Sequence, residues 1–310
     1  MPEGVDLSLV PDQVRGGSLT APRLVTPALL RQWPLPEPSG SKYSRGQVLV
    51  IGGARQTPGA AMLAGEAALR MGAGRLSLGV AESVAPAIAV AMPESGTTGL
   101  PEDAAGSVEG VGVGELLSKE LGRCDALVIG PGLDEPQGTL HLMGEVLREV
   151  PDHVPVVLDA FGATILPDLD EAVRSSLRGR LALTPNTGEL AHLLEQDSLE
   201  EHDVPRGVAN AAEKFGAVVA CNAWVVGDGG VWQLTTGDTG LGTSGSGDVV
   251  AGAVGGVLSR GAGLVQAVLW AKYVHAASGD SLAARFGRVG YLASEIGPEL
   301  PRVMRTLGGD

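Results

Sequence analysis

From Gln47 to the C-terminus, short and almost wholly apolar runs alternate with longer stretches of helical period, and this alternation limits the fold more than any other feature of the chain. The runs are VLVI (48–51), RLSLGV (75–80), ALVIG (126–130), PVVLDA (155–160), LALT (181–184) and AVVAC (217–221). A strand that is apolar at successive positions must bury both of its faces, which a parallel sheet covered by helices on each side achieves. The expected class is therefore α/β, a mostly parallel central sheet flanked by helices on both faces. Helices are expected over 59–72, 137–149, 187–195, 205–215, 248–260 and 263–284. Residues 1–40, rich in Pro and Gly and closing on LPEPSG, read as an N-terminal arm or linker that packs on a neighbour or moves freely. Residues 41–310 read as one domain, and 44% hydrophobic content suffices for its core.

In such sheets ligands collect beyond the carboxyl ends of the strands, where loops meet helix N-termini. Four informative loops fall there: GGARQTPGAA (52–61), GPG (130–132), the turn at Asp159, and TPNTGE (184–189). The strongest signal is GLGTSGSGDVVAGAVGGVLSRG (240–261), a loop of glycine and hydroxyl residues running into an apolar helix. Gly240, Gly242, Gly245 and Gly247 carry no Cβ and tolerate positive φ, so backbone N–H groups can turn towards an anion. The helix start adds unpaired N–H groups and a partial positive charge. A carboxylate at such a place, Asp248, makes chemical sense if it accepts the proton of a hydroxyl that attacks a phosphoryl group. The structural alternative is an N-cap. The G-x-x-x-G of Gly252 and Gly256 is followed by Arg260, too soon for a membrane span, and reads as close helix packing in a core.

Other classes recede. A net charge of −14 and a pI near 4.8 do not suit a polyanionic partner, so neither nucleic acid nor an anionic membrane is expected. Cys124 and Cys221 fit no disulfide framework or zinc spacing, and the N-terminus shows no secretory signal; both point to the cytoplasm. Gly240, Gly242 and Gly245 spell G-x-G-x-x-G without a strand directly before it or an acidic residue about 20 positions later, and no Walker lysine motif or G-x-S-x-G occurs. None of the five histidines has a partner at metal-binding spacing, and no metal ligand is assigned.

The combination of motifs resembles a known family, the ADP- or ATP-dependent NAD(P)H-hydrate dehydratases of the ribokinase-like superfamily. The resemblance runs over about 42–305 through GQVLVIGG, GAAMLAGEAALRMGAGRLSLG, MPE (92–94), ALVIGPGL, VVLDA, LTPNTGELAHLL, GTSGSGDVVAGAVGGVLSRG and AKYVHAASGDSLAARFGRVGYLASEIGPELP. It implies a repair enzyme that dehydrates NADHX or NADPHX to NADH or NADPH, by phosphorylating the ring hydroxyl and then expelling phosphate. ADP or ATP would be the co-substrate, with Mg2+. Carried over residue by residue, Asp248 is the proton acceptor and touches the substrate, as do Ala60, Gly132 and Asn186. Gly245 and Gly247 face the transferring phosphate, and Cys221, Asn222, Ala223, Trp224 and Val225 border the nucleotide. A homo-oligomer is expected and, since no epimerase domain precedes residue 40, a separate NAD(P)HX epimerase as functional partner.

This chain departs from the family pattern in three places. Asn186-Thr187-Gly188-Glu189 stands where many members have His-Pro-Gly-Glu, so the amide of Asn186 would replace a substrate contact from His. Cys221-Asn222 stands where Lys-Gly is usual, which removes a positive charge expected beside the nucleotide. Ser246 for the commoner Thr is a small change. Asp159 reads equally as a brace for its loop or as a polar contact to ligand or metal, and Glu189 as a helix-start residue. Cys221, ending its strand, is expected to border the nucleotide and to be shielded by it from alkylation, with Cys124 at the opposite sheet edge. Two other functions fit the same residues: a ribokinase-like kinase of a vitamin precursor, and a catalytically inactive nucleotide-sensing module.

Overall fold

The apolar runs line up as the middle of a ten-stranded sheet. The computed structural model describes residues 10–37 and 40–308. The chain opens with β1 (Arg23–Val25) and α1 (Pro27–Gln32), then β2 (Gln47–Ile51), α2 (Pro58–Arg70), β3 (Arg75–Ala81), α3 (Ala85–Ala91) and β4 (Ser95–Leu100). Two short helices, α4 (Val113–Leu116) and α5 (Ser118–Leu121), lead into β5 (Ala126–Ile129) and α6 (Pro136–Glu149). Next come β6 (Val156–Leu158), α7 (Ala160–Thr164), α8 (Glu171–Ser176), β7 (Leu181–Leu183), α9 (Thr187–Leu193), α10 (Val204–Phe215) and β8 (Ala217–Cys221). A hairpin of β9 (Trp224–Gly227) and β10 (Gly230–Leu234) precedes α11 (Ser246–Ser259), α12 (Leu264–Phe286) and α13 (Ala293–Leu307). The strand order is β1-β10-β9-β8-β7-β6-β5-β2-β3-β4, and β9 alone runs against its neighbours.

Alternate residues of each central strand enter different cores, which is the reason these runs are apolar throughout. Val48, Val50, Ala126, Val128 and Val157 face the side covered by α2, α11, α12 and α13. Leu49, Ile51, Leu127, Ile129, Val156 and Leu158 face the side that carries α6, α9 and α10. Among the described residues no helix is long and apolar enough to cross a membrane.

All six expected strands and six expected helices form, with ends displaced by one or two residues. Of the N-terminal segment 1–40, expected to pack on a neighbour or to move freely, residues 10–37 pack on the chain's own sheet instead, and residues 1–9 and 38–39 lie outside the described residues. There β1 pairs in parallel with β10, and Val14, Val25, Leu29 and Leu30 are buried. The Trp232 indole N–H donates to the Val14 carbonyl, and the Trp270 indole and Gln266 amide donate to the Trp33 carbonyl. Buried indole N–H groups need acceptors, and this segment supplies them.

The closest helix contact is between α11 and α2. A Cβ built on Gly252 would lie 1.9 Å from the Ala64 carbonyl oxygen, and one on Gly256 2.4 Å from that of Ala68. The two backbones meet where any side chain would intrude, as the small-residue spacing led one to expect. Gly252→Val is accordingly expected to cost about 3 kcal/mol or more, because neither helix can give way without disturbing the sheet beneath it. Gly59→Ala, whose Cβ meets nothing within 4 Å, is expected to leave stability unchanged or slightly raised. Denaturant unfolding of both variants checks the contrast.

Candidate active site

Helix α11 begins at Ser246, two residues before the expected start, and its N-cap is Gly245 at φ 90. Of the four glycines expected to exploit positive φ in this loop, Gly245 alone does so; Gly247 is helical. Asp248 is therefore the third residue of the helix rather than its cap. In the first turn the Ser246 N–H donates to the Thr243 carbonyl and the Val249 N–H to that of Gly245. The N–H groups of Gly247 and Asp248 lie between them with no backbone acceptor among the described residues, the arrangement that binds an anion at a helix start. A Cβ on Gly247 would meet nothing closer than Asp159 Oδ2 at 3.9 Å, so this glycine keeps the approach from the site side open.

The turn is fixed from behind. Ser246 Oγ lies 2.9 Å from His275 Nε2 on α12, and both residues are buried. Burial, with Lys272 nearby, pushes the His275 pKa down to about 3, so the ring is neutral and serves as a positioning group.

Three carboxylates face this turn. Asp248 accepts no hydrogen bond among the described residues, and burial, with Glu189 nearby, raises its pKa to about 6. Asp159, between β6 and α7, is buried and accepts a 2.7 Å hydrogen bond from the Thr184 hydroxyl. Desolvation raises it to about 7 against the opposing pull of that bond, with Glu189 and Asp248 adding like charge. Glu189 is also raised by burial. The backbone beside these groups is strained: Ala160 has φ 48 and Asn222 φ 49.

The remaining expected site residues fall along the same sheet edge. Gly132 and Ala60 adjoin, since a Cβ on Gly132 would lie 2.9 Å from that of Ala60. Ala60 is one helical turn from Leu63, which packs against Gly245, so the α2 N-terminus and the α11 N-terminus lie side by side. The Asn186 amide, expected to meet the substrate, is occupied in a capping box: Oδ1 accepts from the Glu189 N–H at 2.9 Å, and Nδ2 donates to Glu189 Oε1 at 2.7 Å. Asn222 Nδ2 donates to Thr187 Oγ1 at 3.3 Å, which ties the turn after β8 to the start of α9. Ala223 and Trp224 are half-buried, whereas Cys221 and Val225 are wholly buried and present no side chain to a ligand.

Cys124 and Cys221 do lie at opposite strand ends, but both thiols are buried, and desolvation pushes them up to about 12 and about 11. The exposure on which nucleotide-protected alkylation of Cys221 depends is absent. Sequence reasoning placed the 184–189 loop at this edge but singled out none of Thr184, His275 and Lys272. The first sits at a strand end and could have been found there; the other two lie inside a long apolar helix and give no local signal. A cavity of about 270 Å³ lined by Glu171, Arg174, Arg178, Glu195 and Lys214 opens at the opposite edge of the sheet, where Arg174 pairs with Glu171 and Lys214 with Glu195.

The raised carboxylates have a consequence for stability. A carboxylate whose pKa is higher folded than unfolded holds its proton longer in the native state, so its contribution to stability falls as pH rises from about 4 through its folded pKa. Asp248→Asn removes that penalty. The variant is expected to exceed the parent in stability by about 1–3 kcal/mol at pH 8, and the gap should close towards pH 4. Thermal unfolding across that range measures it, and an equal gap at both ends would contradict the assignment.

Comparison with known proteins identifies the family and the fold. The family model described as NAD(P)H-hydrate dehydratase matches residues 48–302. The ADP-dependent (S)-NAD(P)H-hydrate dehydratase of Xanthomonas campestris is 43% identical over 93% of this chain and 99% of its own length. Against the bifunctional NAD(P)H-hydrate repair enzyme of Moorella thermoacetica the identity is 36% over 92% of this chain, which spans 54% of that relative. Among solved structures, a ribokinase-like superfamily protein from Enterococcus faecalis superimposes with a TM-score of 0.76 at 22% identity, covering 92% of this chain and 96% of that one. The Bacillus subtilis ADP/ATP-dependent NAD(P)H-hydrate dehydratase, co-crystallised with ATP and Mg2+, gives 0.73 at 25% identity, with 92% and 98% covered. The fold is ribokinase-like, and the chain belongs to the NAD(P)H-hydrate dehydratase family.

Proposed function

We propose that this protein is an ADP- or ATP-dependent NAD(P)H-hydrate dehydratase that returns NADHX or NADPHX to NADH or NADPH. The observation that carries the reading is an unpaired carboxylate, Asp248, in the same helical turn as two amides free to bind a phosphoryl group. Asp248 takes the proton of the ring hydroxyl as its oxygen bonds to the terminal phosphorus of the nucleotide and the nucleotide's own P–O bond breaks. The Gly247 and Asp248 amides face the oxygens of the transferring group. The ring C–O bond then breaks, phosphate leaves, and loss of a proton from the neighbouring ring carbon restores the dihydropyridine. The substrate would lie between Ala60, Gly132 and Asn186, and the nucleotide beside Cys221, Asn222, Ala223, Trp224 and Val225, with its phosphates towards Gly245 and Gly247.

Among the described residues no cluster of three His, Cys, Asp or Glu side chains is set to cage a metal. Mg2+ needs no such cage, since it is commonly held by one or two carboxylates, waters and the substrate's phosphates. Asp159 and Glu189 fit that part. When bound, the ion would supply positive charge against the phosphates. We further assign the protein to the cytoplasm, as a homo-oligomer working beside a separate epimerase.

The test is turnover with the hydrated cofactor and each nucleotide. A dehydratase returns the absorbance of the dihydropyridine and releases phosphate. A vitamin-precursor kinase would leave a stable phosphomonoester, and a sensing module would show no turnover. Asp248→Asn is expected to lower kcat by roughly 100-fold or more with little change in nucleotide affinity. In the parent enzyme kcat/KM should rise with pH through about 6, the value at which Asp248 becomes a base; a flat profile in Asp248→Asn with unimpaired kcat would sink the assignment.

A further inference from the structure

The floor of the site is acidic, yet its ligand carries phosphates. Glu189 and Asp248 both add to the raised pKa of Asp159, and Glu189 adds to that of Asp248; the loop that borders the nucleotide, Cys221–Val225, contains no charge. The arginines of adjoining loops are engaged elsewhere: Arg55 with Glu102 and the Ala104 carbonyl, Arg288 in a two-bond pair with Asp238. Lys272 is different. It lies one turn before His275 on α12, and His275 touches Ser246 in the first turn of α11. From there its ammonium is near enough to the Cys221 thiol and the Asp159 carboxylate to feel both. It makes no hydrogen bond and no ion pair within 4.0 Å among the described residues, and the residue is partly exposed although its ammonium is desolvated.

We propose that Lys272 is a nucleotide-positioning residue that reaches from α12 to the polyphosphate of ADP or ATP, supplying from a helix the positive charge that the loop after β8 lacks. A lysine serving only as a counter-ion for Asp159 would pair with it. Asp159 instead spends one oxygen on Thr184 and turns the other towards Gly247. An ammonium held in a desolvated place without a partner is costly, and desolvation lowers its pKa; an arriving polyphosphate offsets that cost and leaves Lys272 charged. The pyrophosphate of the hydrated cofactor is the other phosphate source: two expected contacts of that molecule, Ala60 and Gly132, adjoin α2 and the loop after β2, whereas the third, Asn186, lies beside the loop after β8, so the measurements below separate the two sources.

The inference rests on the nucleotide-dependent reading of the site, and the two fail separately: absence of ADP binding by the parent protein would defeat that reading before any variant is made. Given binding, Lys272→Met and Lys272→Gln are expected to raise the Kd for ADP by about 10- to 100-fold by calorimetry, with adenosine binding and the KM for the hydrated cofactor unchanged. Lys272→Arg, which keeps the charge, should hold ADP affinity within a few-fold. Folded Met and Gln variants that bind ADP as the parent does would overturn the proposal. So would an equal loss for ADP and adenosine, which would mean that Lys272 only packs, or a raised KM confined to the hydrated cofactor.

Discussion

The backbone contact between α2 and α11 sets everything at the working edge of the sheet. Gly252 and Gly256 let α11 lie directly on the Ala64 and Ala68 carbonyls, closer than helices bearing side chains can approach. Both helices start at the carboxyl edge, so this one contact places the Gly245–Asp248 turn beside Leu63 and Ala60. A larger residue at Gly252 would separate the helices and their two N-termini. The stability of α11 is thus also the alignment of its first turn, and its freedom from polar side chains over Val249–Leu258 follows from burial on nearly every side.

Against that rigid support stands a destabilising feature. Three carboxylates share a desolvated space with one unpaired ammonium and a neutral histidine. Like charges at short range and buried polar groups without partners lower native stability, and such groups persist where a ligand completes them. The strained residues Ala160 and Asn222 close β6 and β8 at this edge. The cost is borne by the two hydrophobic cores on either face of the sheet.

The sheet was legible because a strand buried on both faces has no polar position, and six such runs need no long-range information to be seen. What escaped was structure whose signal is weaker or distributed. Strand β4, SGTTGL, is a half-exposed edge strand rich in Thr and Gly, and β1 is three residues long. The β9–β10 hairpin carries the Asp228-Gly229 turn that marks hairpins, hidden among other glycines. Helix α13 contains Pro298 and Pro301, which local propensity counts against a helix although its buried face is regular. For the site the division is similar. Asp248 and the glycines could be read from one loop, and the placement of Asp159 at a strand end was visible although its role was not. Lys272 and His275 are two letters in a helix, and only the packing of α12 against the α11 start and β8 makes them neighbours of the loop.

A single anion-binding turn suffices for both halves of the proposed reaction. The amides of Gly247 and Asp248 are fixed by the helix, and Ser246 is fixed by His275, so their orientation does not depend on the ligand. During transfer they face oxygens of the phosphoryl group as it passes to the ring hydroxyl; during elimination the same oxygens belong to the leaving phosphate. Only Asp248 changes state, from a base that takes the hydroxyl proton to a neutral acid. Its raised pKa suits that change, because a carboxylate titrating near pH 6 holds a proton more readily than one in the ordinary range while remaining mostly ionised before reaction at neutral pH. A hydrogen-bonded or ion-paired aspartate at the same place would be a weaker proton acceptor, which gives a physical reason why Asp248 has no hydrogen-bond or ion-pair partner among the described residues.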